Sequence, residues 1–154
     1  VMERLIMVRE LAGDEPVLVA YGDCLSDIDI QEMVESHRRQ QSLATVAIAH
    51  PTGRNEILAL NEQGCYIGTK QGKKQKHSWV NACSMVLEAR AFDYLKENQE
   101  NHFALSLMDC LAAHEPVQTY RHEGFWSPVE TIRDKTWMEN LWAQHKAPWK
   151  VWED

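Results

Sequence analysis

The chain has 154 residues, the length of one domain with a sizeable core. Its 44% apolar and 25% charged residues are ordinary for a globular protein, and the net charge of -7 argues against a broad nucleic-acid surface. No apolar run approaches the roughly 20 residues that a membrane helix needs. The four cysteines lack C-x-x-C spacing and no secretory signal is visible, so we expect reduced thiols and a cytoplasmic location.

The N-terminal region predicts a helix followed by a strand that ends at a carboxylate. Helical spacing of apolar residues predicts a helix over 2–11, with Gly13 as its C-terminal stop. The short apolar run 17–20 is typical of a central strand that is covered on both faces. Ligands bind beyond the carboxyl ends of such strands, so Asp23 is a candidate ligand for a divalent cation that holds phosphate oxygens. The alternative is that Asp23 only caps the following turn.

The next segment predicts a helix, a buried strand and a hairpin. Asp27 is the expected N-cap of a helix with an apolar face, and both Asp27 and Asp29 are interpreted as caps or first-turn carboxylates rather than metal ligands. Residues 42–49 form a second apolar run, which predicts a buried strand. The runs 56–60 and 65–69 predict a hairpin. The predicted face of the helix consists of Ile30, Met33, Val34 and His37.

Two polar features in the middle of the chain have two interpretations each. The basic loop 70–76 could approach a phosphate, or it could be a solvated lysine-rich loop. Asn81 stands among apolar residues of the predicted strand 79–87. It could satisfy neighbouring backbone groups or hydrogen-bond a ligand hydroxyl.

The C-terminal part predicts helices over 88–97 and 102–113, a strand over 117–122, an aromatic turn at 124–128 and a helix over 131–145. Phe103, Leu107, Met108 and Leu111 are the expected buried residues of the second of these helices. The tryptophans of the last helix and the tail are expected in the core or in subunit contacts. Because strands alternate with helices around a hairpin-rich middle, the pattern indicates an α/β domain with a mixed sheet.

Three segments resemble glucose-1-phosphate cytidylyltransferases, a family of sugar-phosphate nucleotidyltransferases. Residues 21–30 resemble the family segment Y-G-D-G-x-x-D-x-D-I. Residues 120–135 are similar to Y-R-H-x-G-F-W-Q-P-M-D-T-L-R-D-K, and residues 141–152 to L-W-x-x-G-K-A-P-W-K-V-W. The resemblance covers nearly all of the chain. It implies a single domain over 1–154 with a truncated Rossmann-like nucleotidyltransferase fold, in which helices flank a mixed sheet.

The resemblance also implies a reaction. In the family, a sugar 1-phosphate oxygen attacks the α-phosphorus of CTP, which gives CDP-glucose and pyrophosphate, and magnesium bridges the phosphates. Asp23 matches the first metal-binding aspartate of the family. Glu130 matches the position of the family's second metal-binding aspartate. Glutamate keeps the negative charge but has a side chain that is one methylene longer than aspartate. The implied catalytic and metal-binding residues of this chain are therefore Asp23 and Glu130.

On the substrate side, the resemblance implies Tyr21, Lys70 and Asn81. Lys70 falls near the lysine of the family's E-K-P, with Lys73 as a competing alignment, and Asn81 matches the asparagine of N-G-G. The departures are that E-K-P has become Thr69-Lys70-Gln71 and that N-G-G has become Asn81-Ala82-Cys83. The family's W-E-x-E-P-L has become residues 103–108, which lack both carboxylates. Nothing in the chain resembles the glycine-rich G-G-x-G-T-R-L loop that binds the nucleotide.

These features leave three hypotheses open. The chain could be a truncated relative that binds a sugar phosphate or nucleotide sugar but does not catalyse alone. It could be an enzyme half that a partner chain completes with a glycine-rich loop. It could also be a non-enzymatic binding or scaffold protein. Loss of the first strands would expose a sheet edge and apolar faces, so we expect a homo-oligomer or a partner chain to cover them.

Overall fold

The structure, a computed structural model, describes residues 2–50, 57–70, 78–97 and 107–153. The side chain of Lys70, and the whole of Lys73 and Phe103, lie outside the described part. The helices are α1 (Met2–Ala12), α2 (Ile30–Gln40), α3 (Ala91–Glu97), α4 (Leu107–Ala112) and α5 (Ile132–Ala143). The strands are β1 (Val17–Ala20), β2 (Cys24–Ser26), β3 (Ala44–Ala49), β4 (Ile57–Leu60), β5 (Tyr66–Lys70), β6 (Val80–Leu87), β7 (Val117–Arg121) and β8 (Trp126–Pro128).

The main sheet has four strands in the order β1-β6-β3-β7. Strand β6 runs antiparallel to both β1 and β3, whereas β3 and β7 are parallel. All six residues of β3 are buried, because the sheet is covered on both faces at this strand. The predicted α/β class with a mixed sheet and flanking helices is therefore confirmed.

Two apolar clusters lie on opposite faces of the sheet. On one face, Val46 and Ile48 of β3 pack with α1, α3 and α4 through residues such as Phe92 and Leu111. On the other face, Ala47 and Ala49 of β3 pack with Met33 of α2 and with β8. None of the helices in the described residues has the length and apolarity that a membrane crossing requires.

The prediction that 17–20 form a central strand is wrong. Of the described strands, only β6 pairs with β1, so β1 lies at an edge of the sheet. Burial alternates along β1, and Leu18 is 42% exposed. An apolar run of four residues cannot distinguish a central strand from an edge strand, because pairing depends on residues far away in the sequence.

The predicted N-cap of α2 is also wrong, although the helix itself is confirmed. The cap is Asp29, whose Oδ1 accepts a hydrogen bond from the Glu32 N–H at 2.8 Å. Asp27 instead pairs with His122. Of the predicted helix face, Met33 and His37 are buried, whereas Ile30 is exposed.

The aromatic turn predicted at 124–128 contains a strand, since β8 pairs antiparallel with β2. The hairpin of β4 and β5 is confirmed and forms a separate two-stranded sheet. Gly13 ends α1 in the left-handed region with a φ of +60°, as predicted. Helix α5 begins with a capping box between Thr131 and Asp134. Of the tryptophans, Trp126 and Trp149 are buried, whereas Trp137, Trp142 and Trp152 are about half exposed.

Candidate functional site

The backbones of Asp23 and Glu130 lie close together beyond the carboxyl end of β1. The chain leaves β1 through Tyr21, whose backbone N–H donates to the Cys83 carbonyl at 2.9 Å. Two residues later the Asp23 carbonyl accepts from the Val129 N–H at 2.8 Å, so Glu130 follows directly after a residue bonded to Asp23. Both carboxylate residues are exposed. We call Asp23 and Glu130 the acidic rim, and the structure brings these two predicted residues together.

An open cleft adjoins the acidic rim. Its volume is about 660 Å³, and it is lined by Arg4 and Leu5 of α1 and by residues 19–23. The exposed Arg4 contributes a permanent positive charge to this cleft, where the sequence analysis had named only lysines in the loop 70–76. Sequence reasoning missed Arg4, because its approach to Asp23 depends on how α1 packs beside β1.

Asn81 lies on β6, close to the acidic rim. Its side-chain Oδ1 accepts a hydrogen bond from the Cys83 N–H at 2.8 Å, so the interpretation that Asn81 satisfies neighbouring backbone is confirmed. This bond stabilises an irregular stretch of β6, where the register against β3 shifts and Cys83 adopts a φ of +65°. A non-glycine residue in this region is strained, so the bulge is imposed by its surroundings.

Two cysteines that are distant in the sequence lie at the acidic rim. The donor atoms of Asp23, Cys24 and Cys83 are all within 4.8 Å of one another. The hydrogen bond from the Cys83 thiol lowers the pKa of the Cys24 thiol. The same bond, followed by burial, raises the pKa of Cys83 far above its usual range, and the charges of Asp23 and Glu130 act in the same direction. Both are free thiols.

The sequence analysis did not single out these thiols as a site. The only signal was that Cys24 and Cys83 each stand where the family segments quoted above have a glycine. Because 58 residues separate them, their contact depends on the antiparallel pairing of β1 with β6.

A pair of the buried His122 and the half-buried Asp27 fixes the turn that leads to Glu130. The Nε2 atom of His122 lies 2.9 Å from Asp27 Oδ1 and 3.0 Å from the Phe125 carbonyl. The Asp27 N–H also donates to the Phe125 carbonyl at 3.1 Å. Gly124 leaves no room here, because a Cβ atom at this position would lie 2.6 Å from Asp27 Oδ1. This packing fixes β8 beside β2 and thus holds Glu130 near Asp23.

The remaining substrate-side residues have different positions. Tyr21 is half-buried at the cleft, and burial, with smaller effects of Cys83 and Asp23, raises the pKa of its hydroxyl. Its phenol is therefore a neutral hydrogen-bonding group near neutral pH. Lys70 ends β5, where its backbone pairs with Ile57 in the separate hairpin.

The acidic rim fits magnesium by its chemistry. Carboxylate oxygens are the ligands that Mg²⁺ prefers, and both residues are exposed to solvent, which matches an ion that keeps several waters. The thiols of Cys24 and Cys83 are soft ligands and do not suit Mg²⁺. If Mg²⁺ binds here, Asp23 and Glu130 are the residues that hold it.

The comparisons with known proteins agree with the sequence motifs. No protein-family model matches the chain. The glucose-1-phosphate cytidylyltransferase of Salmonella typhi is 34% identical over 152 residues, and that of Salmonella typhimurium is 32% identical over 151 residues. The chain is similar to glucose-1-phosphate cytidylyltransferases. Each alignment covers 97% of this chain but 58% of the relative, so the chain spans little more than half of the curated proteins it matches.

Solved structures show the same fold at low sequence identity. A Bacillus anthracis protein assigned as a glucose-1-phosphate thymidylyltransferase, in complex with sucrose, superposes with a TM-score of 0.75 at 16% identity. It matches 100% of this chain and 63% of its own length. An apo UDP-glucose pyrophosphorylase gives a TM-score of 0.69 at 16% identity over 95% of this chain and 60% of its own. The fold of the chain is therefore that of nucleotidyltransferases.

Proposed function

We propose that this chain provides the sugar-phosphate side of a cytidylyltransferase-type site and binds glucose 1-phosphate or CDP-glucose together with Mg²⁺. The observation that carries the proposal is the 2.8 Å hydrogen bond from the Val129 N–H to the Asp23 carbonyl. This bond supports the proposal because it brings the backbone of Glu130 close to that of Asp23, although 106 residues lie between them in the sequence. Two carboxylate residues whose backbones lie close together, one of them lining the cleft, suit an ion that binds phosphate oxygens.

The residues around the acidic rim would divide the work of binding. Asp23 and Glu130 would hold the ion, which neutralises phosphate charge when it is bound. Arg4 lines the same cleft, and its guanidinium is suited to bidentate contact with a phosphate. The half-buried Tyr21 would orient a sugar hydroxyl through its neutral phenol. By resemblance, the Asn81 amide also faces the sugar, and Lys70 contacts its phosphate.

The same residues do not account for nucleotide binding. The 154 residues contain no counterpart of the G-G-x-G-T-R-L loop, whose backbone amides would cradle the triphosphate. We therefore expect this chain in isolation to bind CTP poorly and to release no pyrophosphate from CTP and glucose 1-phosphate. An activity that appears only when a separate chain supplies such a loop would identify the enzyme-half form of the proposal.

Calorimetric titration tests the proposal. Glucose 1-phosphate, CDP-glucose and CTP are titrated separately into the protein with and without Mg²⁺. We expect Mg²⁺-dependent binding of a sugar-containing ligand. Asp23→Asn and Glu130→Gln should each weaken it by at least about 10- to 100-fold, because loss of even an outer-shell partner of a metal ion commonly costs that much. Glu139→Gln is the matched control, since this exposed carboxylate lies on α5 and pairs with Lys135 at the surface.

Absence of binding for all three ligands would reject the proposal and leave the non-enzymatic scaffold. One observation favours that second candidate: the Asn81 Oδ1 is already bonded to the Cys83 N–H, where the family has the open backbone of N-G-G. Tight binding of CTP by the isolated chain would instead show that its nucleotide site is intact.

A further inference from the structure

We infer that Cys24, Cys83 and Asp23 form a binding site for a thiophilic divalent ion such as Zn²⁺. Their two sulfur atoms and one carboxylate oxygen lie within 4.8 Å of one another. Zinc binds thiolates at about 2.3 Å and carboxylate oxygens at about 2.0–2.2 Å, so its donor atoms stand roughly 3.5–3.8 Å apart. Small side-chain rotations would close the observed spacing to that of a tetrahedral site.

The backbone holds both sulfur atoms in place before any ion binds. Cys24 opens β2, and its thiol donates to the Tyr21 carbonyl with a sulfur–oxygen distance of 3.6 Å. Cys83 lies on the bulge of β6, whose two ends are fixed by the Asn81 side chain and by the Tyr21 N–H. A bulge redirects a side chain relative to the regular strand, and here it coincides with a strained φ of +65°.

The composition of the cluster selects the kind of ion. Two thiolates favour Zn²⁺ over Mg²⁺ or Ca²⁺, which prefer oxygen ligands. Each thiol gives up its proton to solvent when its sulfur binds the metal, so one Zn²⁺ replaces two protons and no electron is transferred. The fourth position would hold a water molecule.

This inference does not depend on sugar binding, because its test uses the metal alone. The reduced chain is stripped with a chelator and titrated with Co²⁺, whose thiolate complexes give a charge-transfer absorption in the near ultraviolet. We expect one Co²⁺ per chain and complete loss of the absorption when one equivalent of Zn²⁺ is added. An excess of Mg²⁺ competes for Asp23 alone, so it is expected to weaken Co²⁺ binding only slightly and to leave the thiolate absorption at saturating Co²⁺ unchanged.

Variants distinguish the cluster from other ligands. Cys24→Ser and Cys83→Gly should each weaken Zn²⁺ binding by more than about 100-fold, because loss of an outer-shell partner alone commonly costs 10- to 100-fold. Glycine accepts a φ of +65°, so Cys83→Gly retains the fold, which circular dichroism verifies. Cys65→Ala is the matched control, since this buried cysteine lies outside the cluster, and it should bind Zn²⁺ like the unchanged chain.

Three outcomes would overturn the inference. The first is no thiolate absorption with Co²⁺ in the reduced chain. The second is undiminished absorption in both cysteine variants. The third is a chain that binds no metal when reduced but forms a Cys24–Cys83 disulfide with glutathione disulfide, a reaction in which two thiols lose two electrons and two protons to the oxidant. That last result would identify the pair as a redox site.

Discussion

The contact between the half-buried Asp27 and the buried His122 is expected to require a glycine at position 124. In Gly124→Ala, the new Cβ atom would lie 2.6 Å from Asp27 Oδ1 and 2.8 Å from the His122 ring. Both contacts are too short, so the pair must separate. Displacement of the His122 ring also breaks its 3.0 Å hydrogen bond to the Phe125 carbonyl, and loss of such a bond costs about 1–3 kcal/mol. With a urea m-value of about 2 kcal/mol/M, we expect the unfolding midpoint to fall by roughly 1 M.

The control for this prediction is Gly22→Ala, since a Cβ atom at Gly22 has open space and no positive φ to resist it. Its midpoint should change by less than about 0.3 M, as for an ordinary surface substitution. In an Asp27→Ala background the closest contacts disappear, so Gly124→Ala should then cost at least about 1 kcal/mol less. Equal effects of the two glycine substitutions, or strict additivity with Asp27→Ala, would refute the reasoning.

Three further predictions concern a buried histidine, the strained cysteine and the sheet edge. Burial lowers the pKa of His37 even though Glu88 opposes the shift. As the pH decreases, the unfolded chain therefore protonates His37 before the folded chain does. At pH values below about 6.5 the free energy of unfolding should decrease by at most about 1.4 kcal/mol per pH unit. Urea unfolding between pH 5 and pH 8, a range set by the unperturbed histidine pKa, should show a smaller slope in His37→Gln. Cys83→Gly should stabilise the metal-free protein by up to about 1 kcal/mol, because glycine adopts a φ of +65° without strain. A thermal unfolding temperature below that of the unchanged chain would contradict this prediction. Sedimentation velocity should show a dimer or larger species, since among the described residues β1 pairs on one side only and Leu18 is 42% exposed; a soluble monomer would show that this edge needs no cover.

The elements could be predicted where the signal is local. The nearly continuous apolar run in β3 and the helical spacing around Met33 and His37 predict buried segments, because covered strands and amphipathic helices have distinct periods. The cap of α2 could not be assigned in the same way. Asp27 and Asp29 are both suitable N-caps. His122, which is 95 residues away, contacts Asp27, and Asp29 caps the helix.

The site could be predicted only in part for the same reason. The likeness of two segments to family motifs led to Asp23 and Glu130, and the hydrogen bond between Val129 and Asp23 brings their backbones close together. Arg4 and the pair of Cys24 and Cys83 needed tertiary structure, since α1 must pack beside β1 and β1 must pair with β6. The sequence shows that Ala82 and Cys83 replace the two glycines of N-G-G. It does not show that Cys83 lies in a strained bulge of β6.

A double-mutant cycle at the acidic rim tests the central claim most directly. The affinity for glucose 1-phosphate is measured by calorimetry, with and without Mg²⁺, for the unchanged chain, Asp23→Asn, Glu130→Gln and the double variant. If the two carboxylates share one ion, either substitution removes most of the Mg²⁺-dependent binding, and the double variant should bind no more weakly than the worse single variant. Fully additive losses, or unchanged binding in both single variants, would contradict a shared magnesium site.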